Sequence, residues 1–334
     1  MVSFFAKRRF NEDDLKSLNS FILSKNKSWD VVKGNLTRIA RLYARYHIAV
    51  AFPYKHKAKP QLSGACAKVM HDLYERRVVS LSYIADLRKW AKEALGCCPY
   101  CGIPGTMTLD HYLPKALKAF PEYAVLSENL VPACGECQSA KGERYSKRLH
   151  TCLVIRRREP TVTARKKRSL ASVAQSSISR PVLRVWHPYL DSFLDSTVLA
   201  IATKPDGDYR VFALGYLDKW RRRCVEHHVH VLGMGARAGH FIRRTKESFA
   251  RSLREEGVRT EEGIRVRLPA LLKGAQGEAK DNENAIKVAY VRALRTDGEL
   301  LKDLLNEMSR PPQSNKEVSA SYRKAPVKGR RRRP

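Results

Sequence analysis

Two Cys-x2-Cys pairs, Cys98-Pro-Tyr-Cys101 and Cys134-Gly-Glu-Cys137, constrain this chain more than any other feature. Four thiolates at that spacing complete a tetrahedron around one Zn²⁺, with Zn–S bonds of about 2.3 Å. The chain must then fold back so that residues 102–133 form a loop closed by the metal. Four sulfur ligands leave no open coordination position, so the expected zinc is structural. Cys97 adjoins the first pair at the wrong spacing and is left out of the ligand set. Five of the eight cysteines crowd into these two groups, a pattern of metal binding by reduced thiols. The opening residues MVSFFAKRRFNEDD lack a secretory apolar core, and no apolar run approaches the ~20 residues of a membrane span. The expectation is a cytoplasmic protein with no membrane partner.

The segment inside the loop carries the chemistry. MTLDHYLPKA, residues 107–116, reads as a short strand stopped by Pro114, with Asp110 and His111 side by side. Neighbouring side chains on a strand point to opposite faces, and a bend at Pro114 would let both approach one site. A carboxylate is a hard oxygen ligand suited to Mg²⁺ or Mn²⁺. A neutral imidazole can take a proton from water near pH 7. Phosphodiester hydrolysis needs both an activated water and a metal to neutralise the leaving oxygen.

The run CPYCG…LDHYLPKA…ENLVPACGECQSAKG resembles the HNH nuclease motif, with its ββα-metal fold and zinc-binding Cys-x2-Cys pairs. The resemblance covers roughly fifty of the 334 residues. It implies that His111 is the general base and Asp110 a ligand of the catalytic Mg²⁺ or Mn²⁺. Asn129 matches the middle Asn, which braces the loop and orients the base. Lys141, followed by Gly142, matches the closing Lys-Gly, where a Lys can meet a phosphate. Lys141 and Arg144 are therefore assigned to nucleic-acid contact. The last catalytic position of the family is usually Asn or His; here it is Gln138, whose carbonyl could bind the metal from an arm one methylene longer. The resemblance extends to HNH proteins of bacterial defence cassettes, of the Septu and retron-associated kind. These imply a role against phage or foreign DNA and an ATPase partner protein.

Charge locates the polyanion contacts elsewhere. The formal net charge is +31, and such a self-repelling chain implies a polyanionic partner, nucleic acid first and an anionic membrane surface as its rival. Between Cys97 and His150 six Lys/Arg face five acids, so nearly all the excess lies in the flanks. The fold class expected is α+β, mostly helical, with the ββα-metal module and its four-cysteine zinc clamp flanked by basic helical regions. Residues 1–96 form a basic helical region: helical over 12–52, a connector over 52–63, and helical again over 64–95. The nuclease module spans 97–150. A basic Ser-rich linker covers 151–180 and a mixed strand and helix region 181–309. PVLRVW, TVLAIA and YRVFAL are read as strands, and 216–256 and 281–309 as helical. A disordered basic tail covers 310–334.

Two further motifs have bland readings. Cys224, His227, His228 and His230 in CVEHHVH suggest a second metal, or simply a helix with partly exposed histidines. WHPYLD, residues 186–191, resembles a His-Pro-Tyr segment of the defence-type proteins, or is a Pro-broken turn with buried Trp186 and Tyr189. The expected function is a metal-dependent HNH endonuclease, with DNA preferred. The alternatives are a ribonuclease, a sequence-specific homing or restriction-type nuclease, or a zinc-stabilised nucleic-acid-binding protein with a degenerate site.

Overall fold

The computed structural model describes residues 11–23, 29–51, 61–75, 81–148 and 182–310. The expected basic linker, and the expected basic tail beyond Arg310, lie outside the described residues. The chain is mostly helical with small antiparallel sheets, as the expected class requires.

The N-terminal region holds α1 (Asn11–Leu23), α2 (Asp30–Lys33), α3 (Leu36–Ala44), α4 (Tyr46–Ala51), α5 (Gly64–Glu75) and α6 (Ser82–Ala94). The expected stripe is real: Ile39, Tyr43 and Tyr46 are buried and Leu42 packs against the core. The helix breaks at Arg45, whose backbone leaves helical geometry, so the stripe is carried by two short helices and not one long one.

Strand β1 (Met107–His111) pairs antiparallel with β2 (Leu130–Cys134), bringing Met107 opposite Cys134 and His111 opposite Leu130. Helix α7 (Gly135–Lys141) follows directly, and Gly142 ends it at a positive φ of 50°. Every residue of β2 but Cys134 is buried, so this strand lies inside the fold, while β1 exposes Thr108.

Strand β3 (Ser146–Arg148) pairs with β4 (Val182–Arg184), which brings the two sides of the 149–181 interval together in one two-stranded sheet. β5 (Leu199–Thr203) and β6 (Tyr209–Ala213) form the hairpin expected around the PDGD turn. The remaining helices are α8 (Lys219–Val231), α9 (Met234–Glu255), α10 (Glu261–Glu278), α11 (Ile286–Thr296) and α12 (Gly298–Ser309). The expected helix over 216–256 is split at Gly233, which adopts a left-handed φ of 58° open to glycine at little cost. The one over 281–309 is split at Asp297, whose carboxylate caps α12 by accepting from the Glu299 and Leu300 amides.

One buried apolar cluster runs from Leu18 through the β1–β2 hairpin to Met308. Two glycines let the C-terminal helices reach the first cysteine pair. A Cβ on Gly96 would lie 2.0 Å from the Glu278 carbonyl oxygen, and one on Gly102 would lie 2.4 Å from that of Asn284. Ile286 donates its amide to the Gly102 carbonyl at 2.9 Å across this contact.

Candidate active site and metal centre

The Cys98–Cys101 pair sits on a turn in which Gly102 N–H reaches the Cys98 carbonyl at 2.7 Å and Cys98 N–H reaches that of Ile103 at 3.0 Å. Cys134 ends β2 and Cys137 lies in the first turn of α7. The hairpin register thereby brings the two pairs together. All four sulfurs lie within 4.8 Å of one another, and Cys101 and Cys134 are 3.9 Å apart. A tetrahedron with metal–sulfur bonds of about 2.3 Å has an edge of about 3.8 Å, so the four thiols fit one metal ion such as zinc.

The surroundings suit a metal thiolate cluster. Cys134 N–H points at Cys98 Sγ at 3.4 Å. Arg237 of α9 donates to Cys137 Sγ at 3.3 Å and Cys134 Sγ at 3.9 Å, while also reaching Glu136 and the Leu232 carbonyl. Its guanidinium places positive charge against a centre that would carry net negative charge. Cys97 stays outside the cluster: Asn282 donates to its sulfur at 3.3 Å, and burial pushes its thiol up to about 12.

Asp110, His111 and Gln138 line one open cleft of about 880 Å³, between α5, α6, the end of β1 and α7. Burial holds the Asp110 carboxyl above its ordinary range, against the pull of Lys141 and of hydrogen bonds from Tyr100 and the His111 amide. Lys141 lies 3.0 Å from Asp110 Oδ2 and Tyr100 donates at 3.2 Å. His111 donates from Nε2 to the Ala124 carbonyl at 2.9 Å and packs edge-on against the Tyr74 ring at 4.4 Å. That bond fixes the Nε2–H tautomer and leaves Nδ1 with its lone pair. Burial pushes the imidazole down to about 3, so it is neutral at pH 7.

Asn129 is fully buried and uses its whole amide. Its Oδ1 accepts from the Leu113 amide and the Tyr46 hydroxyl; its Nδ2 donates to the carbonyls of Leu113 and Tyr123. It ties the strand exit at Leu113 to the turn at Tyr123, next to the Ala124 carbonyl that holds His111.

Lys141 differs from its expected place. Its side chain is fully buried, and its ammonium contacts Asp110, the His111 carbonyl at 2.8 Å and the Gly142 carbonyl at 3.5 Å. A lysine so enclosed positions Asp110 and the strand end and is not available to a phosphate. Arg144 is exposed, and its guanidinium donates to the Ala140 carbonyl. Gln138 donates to Thr108 and to the Ala133 carbonyl, which turns its amide toward the β1–β2 hairpin.

CVEHHVH is a structural helix. His228 is buried, accepts from the Trp186 amide at Nδ1, donates from Nε2 to the Tyr100 carbonyl at 2.6 Å, and stacks on Trp186 at 3.4 Å. It rivets α8 to the first cysteine turn. Among the described residues the four cysteines are the group of three or more His, Cys, Asp or Glu side chains close enough to share one metal, and no residue of CVEHHVH belongs to it. WHPYLD is a buried junction. His187 donates from Nε2 to the Tyr46 hydroxyl, which itself donates to Asn129, and accepts the Tyr189 amide at Nδ1. Tyr189 is half-buried, less enclosed than expected, and donates to the Leu130 carbonyl at 3.1 Å. Sequence reasoning does not reach this relay from His187 through Tyr46 to Asn129; the His-Pro-Tyr motif is its one visible trace.

No family model matches the chain, and no solved structure matches it. Among curated proteins, protein ea31 of Escherichia phage lambda is 43% identical over 51 residues. That match covers 15% of this chain and 17% of ea31, so the chain spans a small part of that relative's length.

Proposed function

We propose that the chain is a metal-dependent HNH-type endonuclease that hydrolyses phosphodiester bonds in nucleic acid, with DNA as the preferred polymer. The observation that carries this reading is His111: an imidazole whose Nε2–H is fixed by the Ala124 carbonyl, which leaves the Nδ1 lone pair to act as base, set in the same cleft as Asp110 and Gln138. Strand, strand and helix follow in the order β1, β2, α7, with one cysteine pair in the turn before β1 and the other at the β2–α7 junction, which also supports it.

In this reading the ion held by the four cysteines is structural, and its frame fixes where β1 ends. Nδ1 of His111 takes a proton from the attacking water, and the Ala124 carbonyl steadies the imidazolium that forms. Asn129 keeps that carbonyl in place. The Asp110 carboxylate offers about four lone-pair sites, of which Lys141, Tyr100 and the His111 amide take three. Asp110 and the Gln138 carbonyl would hold a Mg²⁺ or Mn²⁺, with water and substrate phosphate supplying the other oxygens. Such an ion would neutralise charge on the leaving oxygen.

The Asp110–Lys141 ion pair favours a second reading, a zinc-stabilised binding protein that does not cut, because an ammonium 3.0 Å from the carboxylate opposes a dication there. Cleavage assays in Mg²⁺, Mn²⁺ and EDTA separate the two: the nuclease cuts with metal, the binding protein retains the polymer intact. Parallel DNA and RNA substrates distinguish a deoxyribonuclease from a ribonuclease.

A further inference from the structure

Three nitrogen-bearing side chains gather around one exposed carboxylate at the cleft. Lys115 bonds Glu75 at 2.6 Å and lies 3.4 Å from His71 Nε2. Lys115 and Arg88 both lie over the Tyr74 ring, at 5.5 and 5.3 Å from its centroid. Tyr74 is the ring that packs on His111. The hydrogen bond from Lys115, with the charges of Lys115, His71 and Arg88, holds the Glu75 carboxyl below its ordinary range.

We infer that Arg88 and Lys115 are the phosphate clamp of the cleft, and that Glu75 is the anion a nucleic-acid backbone displaces from it. This rests on the nuclease reading for its substrate class, since the clamp borders the same cleft as His111. Lys141, the residue expected to meet phosphate, is buried against Asp110 and leaves that task to others. Arg88 and Lys115 both line the cleft. The Tyr74 ring holds both cations, so less side-chain freedom is lost when a phosphate arrives. Glu75 is 62% exposed, and an ion pair to so exposed a partner is worth little, which makes it displaceable. A polyanion gains in addition from the counterions it releases. The clamp joins two parts of the chain. Arg88, Tyr74 and Glu75 come from α5 and α6, while Lys115 follows the β1 exit. The N-terminal helices thereby form one wall of the site.

The test is binding by the full chain carrying His111→Gln, which stops cutting yet keeps bulk beside Tyr74. Fluorescein-labelled duplex DNA and an RNA hairpin are titrated by anisotropy across a NaCl series. Arg88→Ala and Lys115→Ala should each weaken binding several-fold and flatten the slope of log K against log salt by about 0.9 on DNA. Glu75→Gln, an exposed change that spares the fold, should tighten binding several-fold. Whichever polymer shows the flattened slope is the one the clamp holds. Affinity and slope unchanged in an Arg88→Ala/Lys115→Ala double variant with parental melting would overturn the inference, as would no binding of either probe. Unchanged affinity in Glu75→Gln would remove Glu75 as the competing anion. If the unsubstituted protein never cuts while the clamp variants still flatten the slope, the nuclease reading fails and the clamp stands.

Discussion

Arg237 ties the four-cysteine group to a helix a hundred residues further along the chain. Its guanidinium meets Cys134 and Cys137, two sulfurs of the same group, and would neutralise part of the charge of four metal-bound thiolates. Outer-shell partners of this kind typically carry 10- to 100-fold in metal affinity. Arg237→Leu should loosen zinc by about that factor in competition with a chromophoric chelator, and Arg237→Lys should lose less. Equal affinities in all three proteins would show that the guanidinium does not act on the metal. At this scale the sequence is informative where the chemistry is local. The cysteine spacing predicts the sulfur cluster because two residues between thiols fit one turn. Asp110 and His111 do reach one cleft, as the strand-end position suggests. Lys141 departs from its expected role for a physical reason: a Lys-Gly pair at a helix end looks the same whether its ammonium faces solvent or a buried carboxylate. Only the fold shows that Asp110 lies beneath it.

Elements form where local signals and burial agree, and depart where they conflict. Helix α10 escapes a reading by propensity because EEGIRVRLPALLKGAQGE contains Pro269 and three glycines, each unfavourable in a helix interior. The helix forms because Thr260 caps it through the Gly263 amide and Ile264, Leu268 and Ala275 are buried. Tertiary packing overrides propensity there. The 3₁₀ turn Pro121–Tyr123 holds a buried acid, Glu122, close to the His111-binding carbonyl of Ala124. Burial pushes its carboxyl up to about 7, with the amides of Glu122 and Gln61 and the charge of Arg38 opposing. A carboxyl raised in the folded state binds protons more tightly there than when unfolded. Stability therefore falls as pH rises from about 4.5 to about 7, by something on the order of 3 kcal/mol from this group. Glu122→Gln removes that loss. Its melting temperature should match the parent near pH 4 and exceed it at pH 8. A pH-independent difference between the two would show that Glu122 does not titrate in this window.

Across the whole molecule, the module is held by its flanks and not merely joined to them. Charge counting places the excess outside the cysteine segment but carries no sign of how the flanks grip it. That grip uses residues far apart in sequence: Gly96 and Gly102 against the 278–286 segment, His228 on Tyr100, and Tyr46 and His187 on Asn129. Gly102 combines a φ of 65° with no room for a Cβ. Gly102→Ala should therefore cost about 2–4 kcal/mol in a urea melt and should weaken zinc binding. A near-neutral change would separate the C-terminal helices from the metal frame. The central claim is that this frame presents a working base at His111. The measurement that tests it most directly is cleavage of plasmid, single-stranded DNA and total RNA by the full chain in Mg²⁺, Mn²⁺ and EDTA, beside His111→Ala. The account predicts metal-dependent cutting by the parent and none by the variant, with the variant still folded and its zinc content unchanged. Absence of cutting by the parent, or equal cutting by His111→Ala, would contradict it.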